Sequence, residues 1–199
     1  MRPPTHLLYL HGFRSSPRSM KSRLLGDWLA LHRPDVRLWC PQLPASPADA
    51  LALVRAGIAG WPADASAVLD SSLGGCYAAA LHADTGWPAV LLNPAVVPAR
   101  DLALQVGDQP AFHAPDDPSQ RVLFRAEFLD QLRAITQPRL AQPERCLAVI
   151  AKGDALLSWR EMAAFCAGAE LLLLDGSDHA LSDFAALLPA VLRFLRLVD

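Results

Sequence analysis

Apolar residues fall in short blocks separated by polar, proline- and glycine-rich punctuation. His6–Leu10 is the first block, and His11-Gly12 closes it, which predicts a buried strand followed by a tight loop. Ser16-Pro17 resembles a helix start, with a capping residue before a proline at the first helical position. Met20, Leu24, Leu25, Trp28 and Leu29 follow at helical spacing. Val36–Cys40 predicts a second strand, ended by Pro41 and Pro44, and Ser46-Pro47 repeats the helix-start signal ahead of Leu51, Val54 and Ile58. Ala67–Leu69 predicts a third strand running into Ser71-Ser72-Leu73-Gly74-Gly75, with a helix over 74–82. Ala89–Leu92 is a fourth strand ending at Asn93-Pro94.

The rhythm stops between Pro98 and Pro143, where only Val122–Phe124 and a helical patch at Phe128, Leu132 and Ile135 stand out. It resumes with a strand over Cys146–Ile150 ending at Gly153-Asp154, a helix over Trp159–Cys166 and a strand over Glu170–Leu174. A closing helix from Ser182 turns Phe184, Leu188, Val191, Leu192 and Leu195 inward, with a kink expected at Pro189.

Strands alternating with helices predict an α/β fold: a mainly parallel sheet with helices on both faces. In such sheets ligands bind beyond the carboxyl ends of the strands. His11, Ser72, Asn93, Asp154 and His179 all fall just after predicted strand ends. A length of 199 residues suits one domain. The irregular stretch 98–143 reads as a cap-like insertion in it.

Composition narrows the classes. Hydrophobic residues make up 52%, which excludes a mainly disordered chain. A net charge of −2 without a basic stripe argues against a nucleic-acid partner. No apolar run has bilayer length, and Met1-Arg2-Pro3-Pro4 does not open a signal peptide, so a cytoplasmic protein without a membrane partner is expected. Cys40, Cys76, Cys146 and Cys166 are widely spaced and read as buried reduced thiols. His6, His32, His82 and His113 stand in no metal-binding spacing and receive no role, and no metal is expected.

The chemistry concentrates at Asp70-Ser71-Ser72-Leu73-Gly74-Gly75. A strand that turns sharply into a helix lifts one side chain above the sheet edge, and crowding then demands small residues two before and two after it. Around Ser72, Gly74 meets the second demand and Asp70 does not meet the first. Ser71 fits worse, because Leu73 would occupy the second small position. Taken alone the motif reads equally as a serine-glycine loop capping a helix. A serine needs a base, and His179, between the last strand and the last helix, lies on the same rim as Asp154. The order Ser72, Asp154, His179 is the α/β-hydrolase order. Asp175 and Asp178 are rival acids, ranked below Asp154. The backbone N–H groups of Leu73 and Phe13 are candidate oxyanion donors, with Gly12 and His11 shaping the loop and His11 bracing it. Asn93 is assigned to the pocket floor or, equally, to a simple turn.

The blocks His11-Gly12-Phe13-Arg14-Ser15-Ser16-Pro17, Ser71-Ser72-Leu73-Gly74-Gly75, Leu92-Asn93-Pro94-Ala95-Val96, Gly153-Asp154 and Asp178-His179 resemble the YqiA-type esterases, a group of small bacterial α/β-hydrolases. The resemblance implies a compact α/β-hydrolase core, carboxylic-ester hydrolysis without a cofactor, and catalytic roles for Ser72, Asp154 and His179. The family reads G-S-S-L-G-G where this chain has Asp70, and commonly has an aromatic residue where it has Cys76. Asp70 is expected at the exposed rim, with its charge felt by His179.

The resulting expectation is a serine esterase acting on a small-molecule ester through an acyl-enzyme on Ser72. A thioesterase with the same residues, and a catalytically degenerate binding module marked by Asp70, are the alternatives. Within the cap, Phe112, Phe124, Phe128 and Leu132 either line an acyl pocket or simply pack. Arg14 either meets an anionic substrate group or is solvated.

Overall fold

The computed structural model describes residues 2–112 and 120–198; His113 and part of the 98–143 segment lie outside them. The chain runs β1 (His6–Leu10), α1 (Met20–His32), β2 (Arg37–Trp39), α2 (Pro47–Ile58), β3 (Ser66–Asp70), α3 (Gly74–Thr85), β4 (Ala89–Leu92) and α4 (Pro98–Asp101). It continues with β5 (Gly107–Pro110), β6 (Arg121–Phe124), α5 (Glu127–Ile135), β7 (Cys146–Ala151), α6 (Trp159–Phe165), β8 (Glu170–Leu174) and α7 (Phe184–Phe194).

Six strands form one sheet in the order β2-β1-β3-β4-β7-β8, and every neighbouring pair is parallel. β1, β3, β4 and β7 are covered on both faces, which is why they read as unbroken apolar runs. Alternate side chains go to opposite faces. Leu8, Leu10 and Val68 join the core with α2, α3, α5 and α6, while Leu7, Tyr9, Ala67 and Leu69 join the core with α1 and α7. The chain doubles back between β1 and β3, and the strand ends there open onto the rim that holds the candidate residues.

Local chemistry explains most boundaries. Ser46 caps α2 by accepting the Asp49 N–H at 3.2 Å, with Pro47 at the first helical position. The helix α3 runs to Thr85, beyond the predicted 82, because its stop signal is Gly86, which adopts φ 68°. Ser16-Pro17 does not start α1. Ser16 instead accepts the Arg18 N–H in a preceding turn, and the helix begins at Met20. Its buried stripe is Lys21, Ser22, Leu25 and Leu29, with Met20 outside. α7 begins at Phe184 and continues through Pro189 to Phe194, so the Ala185 carbonyl receives no amide from position 189.

Between β4 and β7, α4 is followed by a 3-10 turn (Ala103–Gln105), the antiparallel pair β5–β6 and α5. Phe124, Phe128 and Leu132 are buried in the main core, so they pack rather than line a pocket. Burial of Phe124 alone is worth roughly 1.5–3 kcal/mol. Phe112 is 63% exposed and lies under the Arg14 guanidinium, 4.0 Å from the ring centre. No helix among the described residues is long and apolar enough to cross a membrane.

Candidate active site

The turn after β3 is built by its two neighbouring strands. Ser71 N–H donates to the Leu10 carbonyl (3.0 Å) and Ser72 N–H to the Leu92 carbonyl (3.1 Å). Ser72 adopts φ 57°, a left-handed backbone that costs a non-glycine residue about 1–3 kcal/mol. Its own carbonyl, bonded by Gly75 N–H (2.9 Å) and Ala95 N–H (2.8 Å), helps to hold it there. A Cβ at Gly74 would come within 2.1 Å of the Leu10 carbonyl oxygen, so α3 can start this close to β1 only with glycine. Gly12 presses on the other side, where a Cβ would lie 3.2 Å from that of Ser72.

Three side chains from distant parts of the chain meet above this turn. His179 Nε2 lies 3.0 Å from Ser72 Oγ, and His179 Nδ1 lies 2.7 Å from Asp154 Oδ2. The other Asp154 oxygen accepts N–H groups from Leu156 (2.8 Å) and Leu157 (2.9 Å). Burial would raise the Asp154 carboxyl, but the hydrogen bond from His179 and the two backbone N–H groups outweigh it and hold the group below its ordinary range. An ionised Asp154 fixes the proton on Nδ1, which leaves Nε2 as the acceptor facing the Ser72 hydroxyl. The rival acids are engaged elsewhere: Asp175 pairs with Lys152 at 2.5 Å, and the Asp178 carboxylate accepts from Ser182 N–H (3.0 Å) and Oγ (2.7 Å).

Phe13 and Leu73 flank the Ser72 turn from the β1 loop and the start of α3. Among the described residues neither backbone N–H donates a hydrogen bond, so both donors remain available. The Phe13 ring packs edge-on against Phe124 with centroids 5.1 Å apart. His11 braces this loop. Its Nε2 accepts the Leu43 N–H at 3.0 Å, which puts the proton on Nδ1, and Nδ1 donates to the Gly12 carbonyl at 2.9 Å. Arg14 is not merely solvated: its Nε donates to the Pro110 carbonyl at 2.5 Å.

Asp70 departs from expectation. It is fully buried, not at an exposed rim. The β3–β4 ladder stops at the Leu69↔Val90 pair, and Asp70 Oδ1 takes the Leu92 N–H at 3.3 Å. Oδ2 has no hydrogen-bond partner among the described residues. Burial pushes this carboxyl well above the usual range, against the weaker opposing pull of the Leu92 N–H and the Lys21 charge. Burial disfavours the charged form of this group, so the exposed rim charge expected from the sequence is not what the structure holds.

Asn93 does not form a pocket floor. It is fully buried at φ 44°; its Oδ1 accepts the Ala151 N–H at 2.8 Å, and its Nδ2 donates to the carbonyls of Asp178 (3.0 Å) and His179 (3.1 Å). Lys21, given no part by the sequence reading, donates from Nζ to the Ala180 carbonyl. One signal could have found it: Lys21, Leu25 and Leu29 recur at four-residue spacing, which puts a lysine on the buried stripe of α1. Among the described residues, no group of three or more His, Cys, Asp or Glu side chains gathers as metal ligands would.

Solved structures share this architecture. One is from the pair of metagenome-derived lipolytic enzymes LipS and LipT (TM-score 0.73, 19% identity, covering 97% of this chain and 94% of that one). Another is Est1E from Butyrivibrio proteoclasticus with ferulic acid bound (TM-score 0.64, 15% identity, covering 98% and 88%). A third is the thioesterase domain from the curacin biosynthetic pathway (TM-score 0.60, 14% identity, covering 96% and 92%). At such identities the likeness is one of fold, and the fold is that of the α/β-hydrolases. The sequence match is more specific: the model of the uncharacterised protein family UPF0227, the YqiA family, spans residues 6–196, and this chain belongs to that family.

Proposed function

We propose that this protein is a serine hydrolase that cleaves small carboxylic esters through an acyl-enzyme on Ser72. The observation that carries the reading is the 3.0 Å approach of His179 Nε2 to Ser72 Oγ, backed by the 2.7 Å contact of Nδ1 with Asp154. His179 takes the hydroxyl proton as Oγ attacks the ester carbonyl. The N–H groups of Phe13 and Leu73 receive the oxyanion. The imidazolium returns its proton to the leaving alcohol, and water then cleaves the acyl-enzyme with His179 again as base. Asp154 orients the ring and stabilises its cationic form.

The described residues of the 98–143 segment act in this reading as a cap beside the rim. The Phe112 N–H donates to the Arg14 carbonyl at 2.8 Å, which ties the segment to the oxyanion loop. The binding-module alternative rests on Asp70 standing where the family has glycine; the turn nonetheless closes with Asp70 buried and its Oδ1 accepting the Leu92 N–H, which supports the hydrolase reading.

A fluorophosphonate probe and matched oxygen and thiol esters test the proposal. Labelling of the folded protein that disappears in Ser72→Ala supports it, with turnover falling on the order of 10⁶. An unlabelled folded protein overturns it. Preference for the thiol ester would assign the same residues to a thioesterase.

A further inference from the structure

The loop that carries His179 is held by its carbonyls. Asn93 Nδ2 donates to those of Asp178 (3.0 Å) and His179 (3.1 Å), and Lys21 Nζ donates to that of Ala180. Three consecutive carbonyls are thus bonded by two buried side chains from separate elements, the end of β4 and helix α1. The loop needs such restraint. Ser177 (φ 63°) and Leu181 (φ 47°) both adopt left-handed backbones, and Asp178 and Ala180 are exposed. Asn93 also accepts the Ala151 N–H, so one amide couples the His179 loop to the strand that leads into Asp154.

We infer that Lys21, together with Asn93, is a positioning residue that fixes the His179 imidazole between Ser72 and Asp154. This deepens the hydrolase reading and rests on it. An ammonium group is costly to bury, and Lys21 is only 7% exposed. Burial lowers its pKa to about 8, against the opposing charge of Asp178. A methionine of similar length would fill the same space without that cost, so packing alone does not account for a lysine here. What methionine lacks is the donor to the Ala180 carbonyl. With that donor gone the loop loses one of its three anchors. A misplacement of about 1 Å at a catalytic group costs up to about 100-fold in rate.

The test is Lys21→Met, compared with Lys21→Gln, which keeps a shorter N–H donor and serves if the methionine variant does not fold. The substrate is a p-nitrophenyl ester, with fluorophosphonate labelling rate as a second measure. The expected result is a fall in kcat of about 10- to 100-fold for Lys21→Met at unchanged KM and unchanged or higher Tm, with Lys21→Gln in between. A folded variant with wild-type kcat and labelling rate overturns the inference. If the wild type neither turns over nor labels, the hydrolase reading is what has failed. The far-downfield proton resonance of the His179 Nδ1–H then becomes the readout: its loss in Lys21→Met supports the positioning role, and its persistence overturns it.

Discussion

Asp154 approaches His179 with a single oxygen: Oδ2 lies 2.7 Å from Nδ1, while Oδ1 is committed to the N–H groups of Leu156 and Leu157. This asymmetry makes Asp154→Asn informative. The amide oxygen must stay with the two backbone donors, so the NH₂ is forced towards the ring. Nδ1 then becomes the acceptor and the ring proton moves to Nε2, where it opposes the Ser72 hydroxyl. The fold is expected to persist while kcat falls on the order of 10⁴. Steady-state kinetics on a variant with native circular dichroism would check this, and a loss below tenfold would remove Asp154 from the mechanism.

Asp70 yields a prediction about stability and pH. Its folded-state pKa is raised by burial above an unfolded value near 3.9. Between the two values the folded chain holds a proton that the unfolded chain has released, so this group's contribution to stability falls as pH rises through that window. Asp70→Asn cannot ionise and should gain Tm over the wild type as pH rises above about 4, with the gap smallest near pH 4. Thermal melts at pH 4, 6 and 8 decide the matter, and a gap that stays constant with pH would contradict the burial argument.

Gly74 is the steric key of the Ser72 turn. A methyl group there meets the Leu10 carbonyl oxygen at 2.1 Å, a backbone atom in the interior of the sheet that has no rotamer by which to move away. Gly74→Ala should destabilise the protein by about 1–3 kcal/mol, as overpacked cores do. It should also disturb activity in whatever fraction folds, since the displaced helix start carries the Leu73 N–H. Urea denaturation together with specific activity per folded molecule measures both effects. A variant with wild-type stability would mean that the β1–α3 approach is looser than described.

Much of this architecture was legible because it depends on local chemistry. The apolar blocks of β3, β4 and β7 follow from burial on both faces, and the start of α2 and the turn at Ser72-Leu73-Gly74 lie close to the residues that cause them. The order of Ser72, Asp154 and His179 could be read because each follows a strand, and parallel strands bring their carboxyl ends to one rim. The β5–β6 pair was harder to see. Gly107–Pro110 reads GDQP, with no apolar alternation, and it becomes a strand only by pairing with Arg121–Phe124. Ser16-Pro17 misled because a proline after serine also suits a turn, and only the hydrogen bonds distinguish the two.

The sequence by itself determined the alternation of the main-sheet strands with helices and the placement of Ser72, Asp154 and His179 after strand ends, since these follow from side-chain period and backbone sterics within a few residues. Tertiary structure decided the burial of Asp70 and the two-sided hold on the His179 loop. Lys21 and Ala180 stand 159 positions apart, and Asn93 lies 85 and 86 from the residues whose carbonyls it binds. Such contacts leave no periodic trace along the chain, because they arise only when the packed sheet brings the ends of its strands together.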